Sequence, residues 1–169
     1  MSRQSSILNP QSAMAPLALI ALGSNLGDSR SIILKAMAQL QLLSDRPILK
    51  SSLIESAPVD CPPGSPPFIN AIVAMSPRLT ETPESLLAKL QAIERDFGRQ
   101  PKKILNEARL LDLDLIAFGS TTRSTNELTL PHPRAHQRRF VLEPLVEIAP
   151  DFILPGQKRN ARELLKALS

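Results

Sequence analysis

A chain of 169 residues is enough to close one hydrophobic core and too short for two full-sized domains. With 43% hydrophobic and 21% charged residues it belongs to neither the disordered nor the membrane class, and its early apolar run, 17–22, is far below the roughly 20 residues that span a bilayer. Twenty Lys and Arg against 16 Asp and Glu leave +4, which suits an anionic ligand such as a nucleotide without demanding nucleic acid, and the single Cys61 excludes an intramolecular disulfide or a Cys-cluster metal site.

Residues 1–15 carry Arg3 but break their one apolar pair with Asn9-Pro10, so they lack the core of a secretory signal and read as a flexible tail. A cytoplasmic protein with one domain over 16–169 is the expectation. Residues 17–22 form a buried strand running into Gly23-Ser24-Asn25-Leu26-Gly27-Asp28, a turn in which Gly and Asn tolerate positive φ. Asp28 or Ser29 caps a helix whose apolar face is Ile33, Met37 and Leu40, and Pro47 forbids its continuation. A second strand is expected over 48–55.

Residues 58–67 hold five of the sixteen prolines and read as a long loop, a kind that is often functional inside a compact domain. In the strand 68–75, Ile69, Ala71, Val73 and Met75 make one apolar face and leave Phe68 and Asn70 together on the other. Thr82-Pro83-Glu84 starts a helix with a capping hydroxyl, proline at the first helical position and a carboxylate at the positive end; Leu86, Leu90, Ile93 and Phe97 form its buried stripe and Gly98 its C-terminal cap. A second long loop, basic this time, covers 99–107. A strand over 110–118 follows, then a polar turn at 119–127, a helical piece over 140–148 and a terminal helix near 161–168. The order β-α-β, β-α-β is that of a ferredoxin-like α+β fold, an antiparallel βαββαβ sheet with helices on one face and the C-terminal pieces added at its rim and back.

Asp112 and Asp114 lie two apart in a strand, so both carboxylates share a face with Cα atoms roughly 7 Å apart. Such a pair suits Mg²⁺ bridging to phosphates; the same spacing also fits a solvated edge strand. Arg99, Lys102, Lys103 and Arg109 precede the pair and Arg134, Arg138 and Arg139 follow it, placing seven of the twenty basic residues around one acidic site, as a phosphate ligand would require. His132 is bracketed by Pro131 and Pro133, which fix its backbone and aim its ring, whereas His136 has no such constraint. Phe68 with Asn70 offers a flat apolar surface beside an amide, which suits a planar heterocycle, and Phe140 can cover the other ring face. Neither G-x-x-x-x-G-K-[ST] nor G-x-G-x-x-G occurs, so a nucleotide is held without a P-loop or a Rossmann turn.

Taken in order, Gly-Ser-Asn-Leu-Gly-Asp (23–28), Pro-Pro-Phe-Ile-Asn-Ala (66–71), Arg-Leu-Leu-Asp-Leu-Asp-Leu-Ile (109–116), Leu-Pro-His-Pro-Arg (130–134) and Arg-Phe-Val-Leu-Glu-Pro-Leu (139–145) resemble the 6-hydroxymethyl-7,8-dihydropterin pyrophosphokinase family. The resemblance implies transfer of diphosphate from ATP to the hydroxymethyl group of a reduced pterin in folate biosynthesis, with release of AMP and two Mg²⁺ ions between Asp112, Asp114 and the phosphates. It implies that Phe68 and Phe140 sandwich the pterin, Asn70 bonds its edge, and Gln91, Glu94, Arg109, His132 and Arg138 serve ATP. Arg99 and Arg109 join the aspartates in catalysis, and the loops 58–67 and 99–109 act as lids that exclude water. A monomer with these two substrates as its ligands, and with no nucleic acid or membrane partner, is expected.

This sequence departs from the family pattern at Pro101, Asn106, Ala108 and Ala57, all in or beside the two loops. Two further readings are a basic module that stacks RNA on its sheet, for which five Phe with no Tyr or Trp is poor equipment, and a family relative that binds pterin or nucleotide without turnover.

Overall fold

The computed structural model describes residues 16–58, 61–98 and 108–168. The tail 1–15 and the loop 99–107 therefore lie outside the described residues, with Arg99, Pro101, Lys102, Lys103 and Asn106 among them. The main elements are β1 (Ala18–Ser24), α1 (Ser29–Leu43), β2 (Leu49–Lys50), β3 (Ile54–Ser56), β4 (Phe68–Met75), α2 (Pro83–Asp96) and β5 (Asp112–Phe118). A short ribbon, β6 (Arg123–Ser124) with β7 (Thr129–Leu130), leads to α3 (Arg139–Ile148) and α4 (Ala161–Ala167).

The sheet runs β2–β4–β1–β5 with β3 also on β4, and every pairing is antiparallel. With β2 and β3 counted as one broken strand, this is the ferredoxin-like arrangement. Capping chemistry sets both long helices as expected. Asp28 accepts from the Ser31 N–H at 3.3 Å, and Thr82 and Ser85 cap each other reciprocally ahead of Pro83.

One face of the sheet presents Ala18, Ile20 and Leu22 of β1 with Ala71, Val73 and Met75 of β4, closed by Ile33, Met37 and Leu40 of α1 and Leu86 and Leu90 of α2. The other face presents Leu19, Ile72, Ala74 and Ile116 and is closed by Val141, Leu142 and Leu145 of α3, with Phe152 and Leu164. The C-terminal pieces thus cover the back of the sheet, and α3 begins at Arg139 rather than at Phe140.

The strand expected over 48–55 is broken. Lys50 faces Val73 and Ile54 faces Asn70, so this side holds one residue more than β4 across the same stretch, the count of a β-bulge. Ser51 accounts for the break: its N–H donates to Ile72 O at 3.0 Å while its hydroxyl accepts the Ile72 N–H at 2.8 Å. Ser52 then donates from both N–H and hydroxyl to Glu147 on α3. The polar turn expected over 119–127 also differs, because β6 pairs with β7 within and beyond it. A second bulge, at Ile116, lets both Ile116 and Ala117 join the α3 side, after which β5 alternates back through Asp114 and Asp112.

Candidate active site

Helix α3 covers only part of the second sheet face. Beyond Ile72 and Leu19 the same face continues as Asn70, Phe68 and Gly23, and β5 continues it as Asp114 and Asp112. These residues line a cavity of about 800 Å³ whose far wall is Ser56 of β3, His132, and Arg138 to Phe140 at the start of α3. Gly23 keeps the floor open: a Cβ there would sit 3.5 Å from Asn70 Oδ1 and 3.7 Å from the Phe68 ring.

Asp112 and Asp114 both turn into this cavity. β5 is an edge strand, as one reading of the spacing required, yet neither carboxylate is left to bulk solvent. Arg109 Nη1 lies 3.2 Å from Asp112 Oδ2, with both side chains largely buried. Asp114 has its carboxyl pushed up to about 7, chiefly by burial and then by the negative charges of Asp112 and Glu94, against the weaker pull of Arg138 and Arg109. Two inward-facing carboxylates on one strand face offer hard oxygen donors of the kind a divalent cation takes. Among the described residues no group of three or more His, Cys, Asp and Glu side chains gathers as a metal site, and a bound polyphosphate or water can supply further oxygen ligands beside the aspartates.

His132 is anchored by its own N–H, which donates to Ile116 O at 2.8 Å, and its Nδ1 accepts the Arg134 N–H at 3.2 Å. Burial, followed by the positive charges of Arg138 and Arg134, holds its pKa below the usual histidine value. With Nδ1 accepting, the neutral ring carries its proton on Nε2 as a donor. The Arg138 guanidinium stands 5.4 Å from the centroid of the Phe140 ring, which tethers the cation beside one aromatic wall.

Eight expected residues, Phe68, Asn70, Arg109, Asp112, Asp114, His132, Arg138 and Phe140, therefore line one cavity although they are drawn from four separate stretches of chain. Gln91 and Glu94 lie on α2 outside that lining: Gln91 is exposed, whereas Glu94 is buried with Oε2 2.8 Å from the Leu113 N–H. Arg99 lies outside the described residues.

The sequence reading did not single out Ser56 or the bonding of Asn25. Ser56 Oγ accepts from Asn70 Nδ2 at 2.6 Å across the β3–β4 pair. Asn25, only 3% exposed, joins both loops that flank the site: its Nδ2 donates to Pro66 O at 3.2 Å, its Oδ1 accepts the Arg109 N–H at 2.9 Å, and its own N–H donates to Arg109 O at 3.2 Å. Asn25 did carry a signal, as a polar residue inside an otherwise turn-forming Gly-x-x-x-Gly stretch. Ser56 carried none, since its partner is set by the bulge.

The family described as 7,8-dihydro-6-hydroxymethylpterin-pyrophosphokinase (HPPK) matches residues 19–150. The chain belongs to this family. It is 38% identical over 144 residues to the 2-amino-4-hydroxy-6-hydroxymethyldihydropteridine pyrophosphokinase of Haemophilus influenzae, covering 83% of this chain and 86% of that one. The protein of the same name from Pseudomonas aeruginosa is 38% identical over 149 residues, covering 88% of this chain and 89% of its own length.

Longer relatives also match. The folic acid synthesis protein fol1 of Pneumocystis carinii is 38% identical over 136 residues, which is 80% of this chain but 18% of that protein. The crystal structure of Plasmodium falciparum HPPK-DHPS with pteroate superposes with a TM-score of 0.69 at 15% identity over 89% of this chain and 42% of that one, a likeness of fold. The chain thus spans less than half of that protein and less than a fifth of fol1. No helix among the described residues is long and apolar enough to cross a membrane.

Proposed function

We propose that this chain transfers diphosphate from ATP to 6-hydroxymethyl-7,8-dihydropterin, and that the cavity over Asp112 and Asp114 is where it does so. ATP-dependent diphosphotransfer in folate synthesis is the reaction of the family to which the chain belongs. The observation that carries the assignment to this cavity is the meeting of an aromatic-and-amide surface, Phe68 with Asn70, and an acidic pair on adjacent stretches of one sheet face.

The pterin lies between Phe68 and Phe140 with its edge on Asn70, and its hydroxymethyl oxygen points toward the acidic pair. That oxygen bonds to the β-phosphorus of ATP as the bond from the β-phosphorus to the oxygen of AMP breaks, and the hydroxyl proton passes to solvent. Arg109, Arg138 and the His132 Nε2–H supply charge and a directed donor to the phosphates, and Gln91 contacts the nucleotide from α2. Arg99 is assigned the same task as Arg109.

Asp112 and Asp114 would hold Mg²⁺, two ions in this reading, and the bound cations would supply neutralisation of polyphosphate charge and acidification of the attacking hydroxyl. Burial and the neighbouring carboxylates raise the Asp114 carboxyl to about 7, so a cation bound there would compete with a proton. The chain works as a cytoplasmic monomer. Product analysis tests the reading: AMP forms only when ATP, the pterin and Mg²⁺ are all present. Pterin-independent release of ADP or AMP would reject it.

A further inference from the structure

Helix α2 turns Leu86, Leu90 and Ile93 to the sheet, and Glu94 is buried beside them at 7% exposure. A carboxylate in such a place is expensive to bury unless its oxygens are bonded. Its Oε2 receives the Leu113 N–H at 2.8 Å. Leu113 is the residue between Asp112 and Asp114, and its side chain, 4% exposed, is fixed in the core under α2. Among the described residues β5 pairs with β1 alone, so a peptide N–H directed away from β1 meets no described partner strand, and Glu94 supplies an acceptor for it.

The Leu113 N–H belongs to the peptide that joins Asp112 to Leu113, and with the Leu113 side chain held in the core its hydrogen bond sets the roll of the strand, whose opposite face carries both Asp112 and Asp114. A small roll of this edge about the strand axis would swing both aspartates in the same sense and change how far their carboxylates reach into the cavity.

We infer that Glu94 is a positioning residue for the Asp112/Asp114 pair, acting through its hydrogen bond to the Leu113 peptide and not through contact with the nucleotide. The inference rests on the functional reading above and replaces the ATP contact expected for this residue.

Three variants test it. Glu94→Gln keeps an oxygen acceptor and removes the charge; Glu94→Met keeps the length and removes the acceptor; Glu94→Asp withdraws the acceptor by one methylene and stands in if the Met variant does not fold. The readouts are amide hydrogen exchange at Leu113, binding of the Mn²⁺ complex of ATP followed by electron paramagnetic resonance, and separate kcat and KM values.

The Met and Asp variants should exchange the Leu113 amide at least about tenfold faster and lose about tenfold or more in kcat, with the ATP KM within about twofold of wild type, while Gln stays within about threefold in every measure. Mn²⁺–ATP should still bind the Met and Asp variants, with an altered spectrum. A raised ATP KM with kcat preserved would identify a nucleotide contact and overturn the inference, as would a Gln variant as impaired as Met, or a Met variant indistinguishable from wild type. Pterin-dependent AMP formation by the wild-type protein judges the functional reading separately, and Leu113 exchange judges Glu94 even if that reading fails.

Discussion

The two faces of this sheet are made by alternate residues of the same strands, yet they end differently. On the α1/α2 side the apolar pattern runs through β1, β4 and β5, from Ala18 and Met75 to Leu22, Ile69 and Leu113. On the α3 side it stops halfway: Leu19, Ile72, Ala74 and Ile116 are sealed by α3, and then the face becomes Gly23, Asn70, Asp114 and Asp112, which line an open cavity. Cover and composition change at the same level. The first face is built for stability, and the second joins a structural half to a chemical half within two residues of each strand.

That division predicts different consequences for truncations on the two faces. Leu90→Ala on α2, at a fully buried position, should destabilise folding by about 2–5 kcal/mol, with the surviving folded fraction retaining near-normal turnover; chemical denaturation with activity corrected for folded fraction measures both. Asp112→Ala or Asp114→Ala should do the reverse. Each should lower kcat at least about 100-fold with Mg²⁺ present while leaving the denaturation midpoint close to wild type, because neither side chain belongs to the apolar core. Near-normal rates would break the division, and so would a large loss of stability.

The smallest effect concerns His132, at the boundary between the two halves. Its folded pKa is below 6.5, so the unfolded chain takes up the proton first as pH falls. Its contribution to stability is therefore complete above about 6.5 and fades as pH falls through the folded value. His132→Gln should flatten the pH dependence of the melting temperature in that window, and an NMR titration of the imidazole should give a midpoint under 6.5. A midpoint above that value would mean that an acidic neighbour outweighs burial.

Much of this was legible in the chain itself. Helix caps at Asp28 and Thr82, the shared face of Phe68 and Asn70, and the paired face of Asp112 and Asp114 follow from local periodicity and side-chain chemistry, which act over a few residues. The bulge at Ser51, the Ser56–Asn70 bond, the Asn25 bridge to Pro66 and Arg109, and the Glu94–Leu113 bond were not legible. Each depends on the register between segments 14 to 84 residues apart, and no local pattern encodes that register. Glu94 illustrates the gap: its position on α2 is plain from the helical period, but what its carboxylate meets depends on where β5 docks.

The central claim is that pterin and nucleotide occupy different parts of one cavity, the first over Phe68 and Asn70 and the second over the acidic pair. Calorimetry on Phe68→Ala with each ligand in turn tests this most directly. The account predicts pterin binding weakened by about 1–3 kcal/mol, on the scale of aromatic stacking, and Mg²⁺–ATP binding unchanged within about twofold. Equal weakening for both ligands, or unaltered pterin binding, would contradict it.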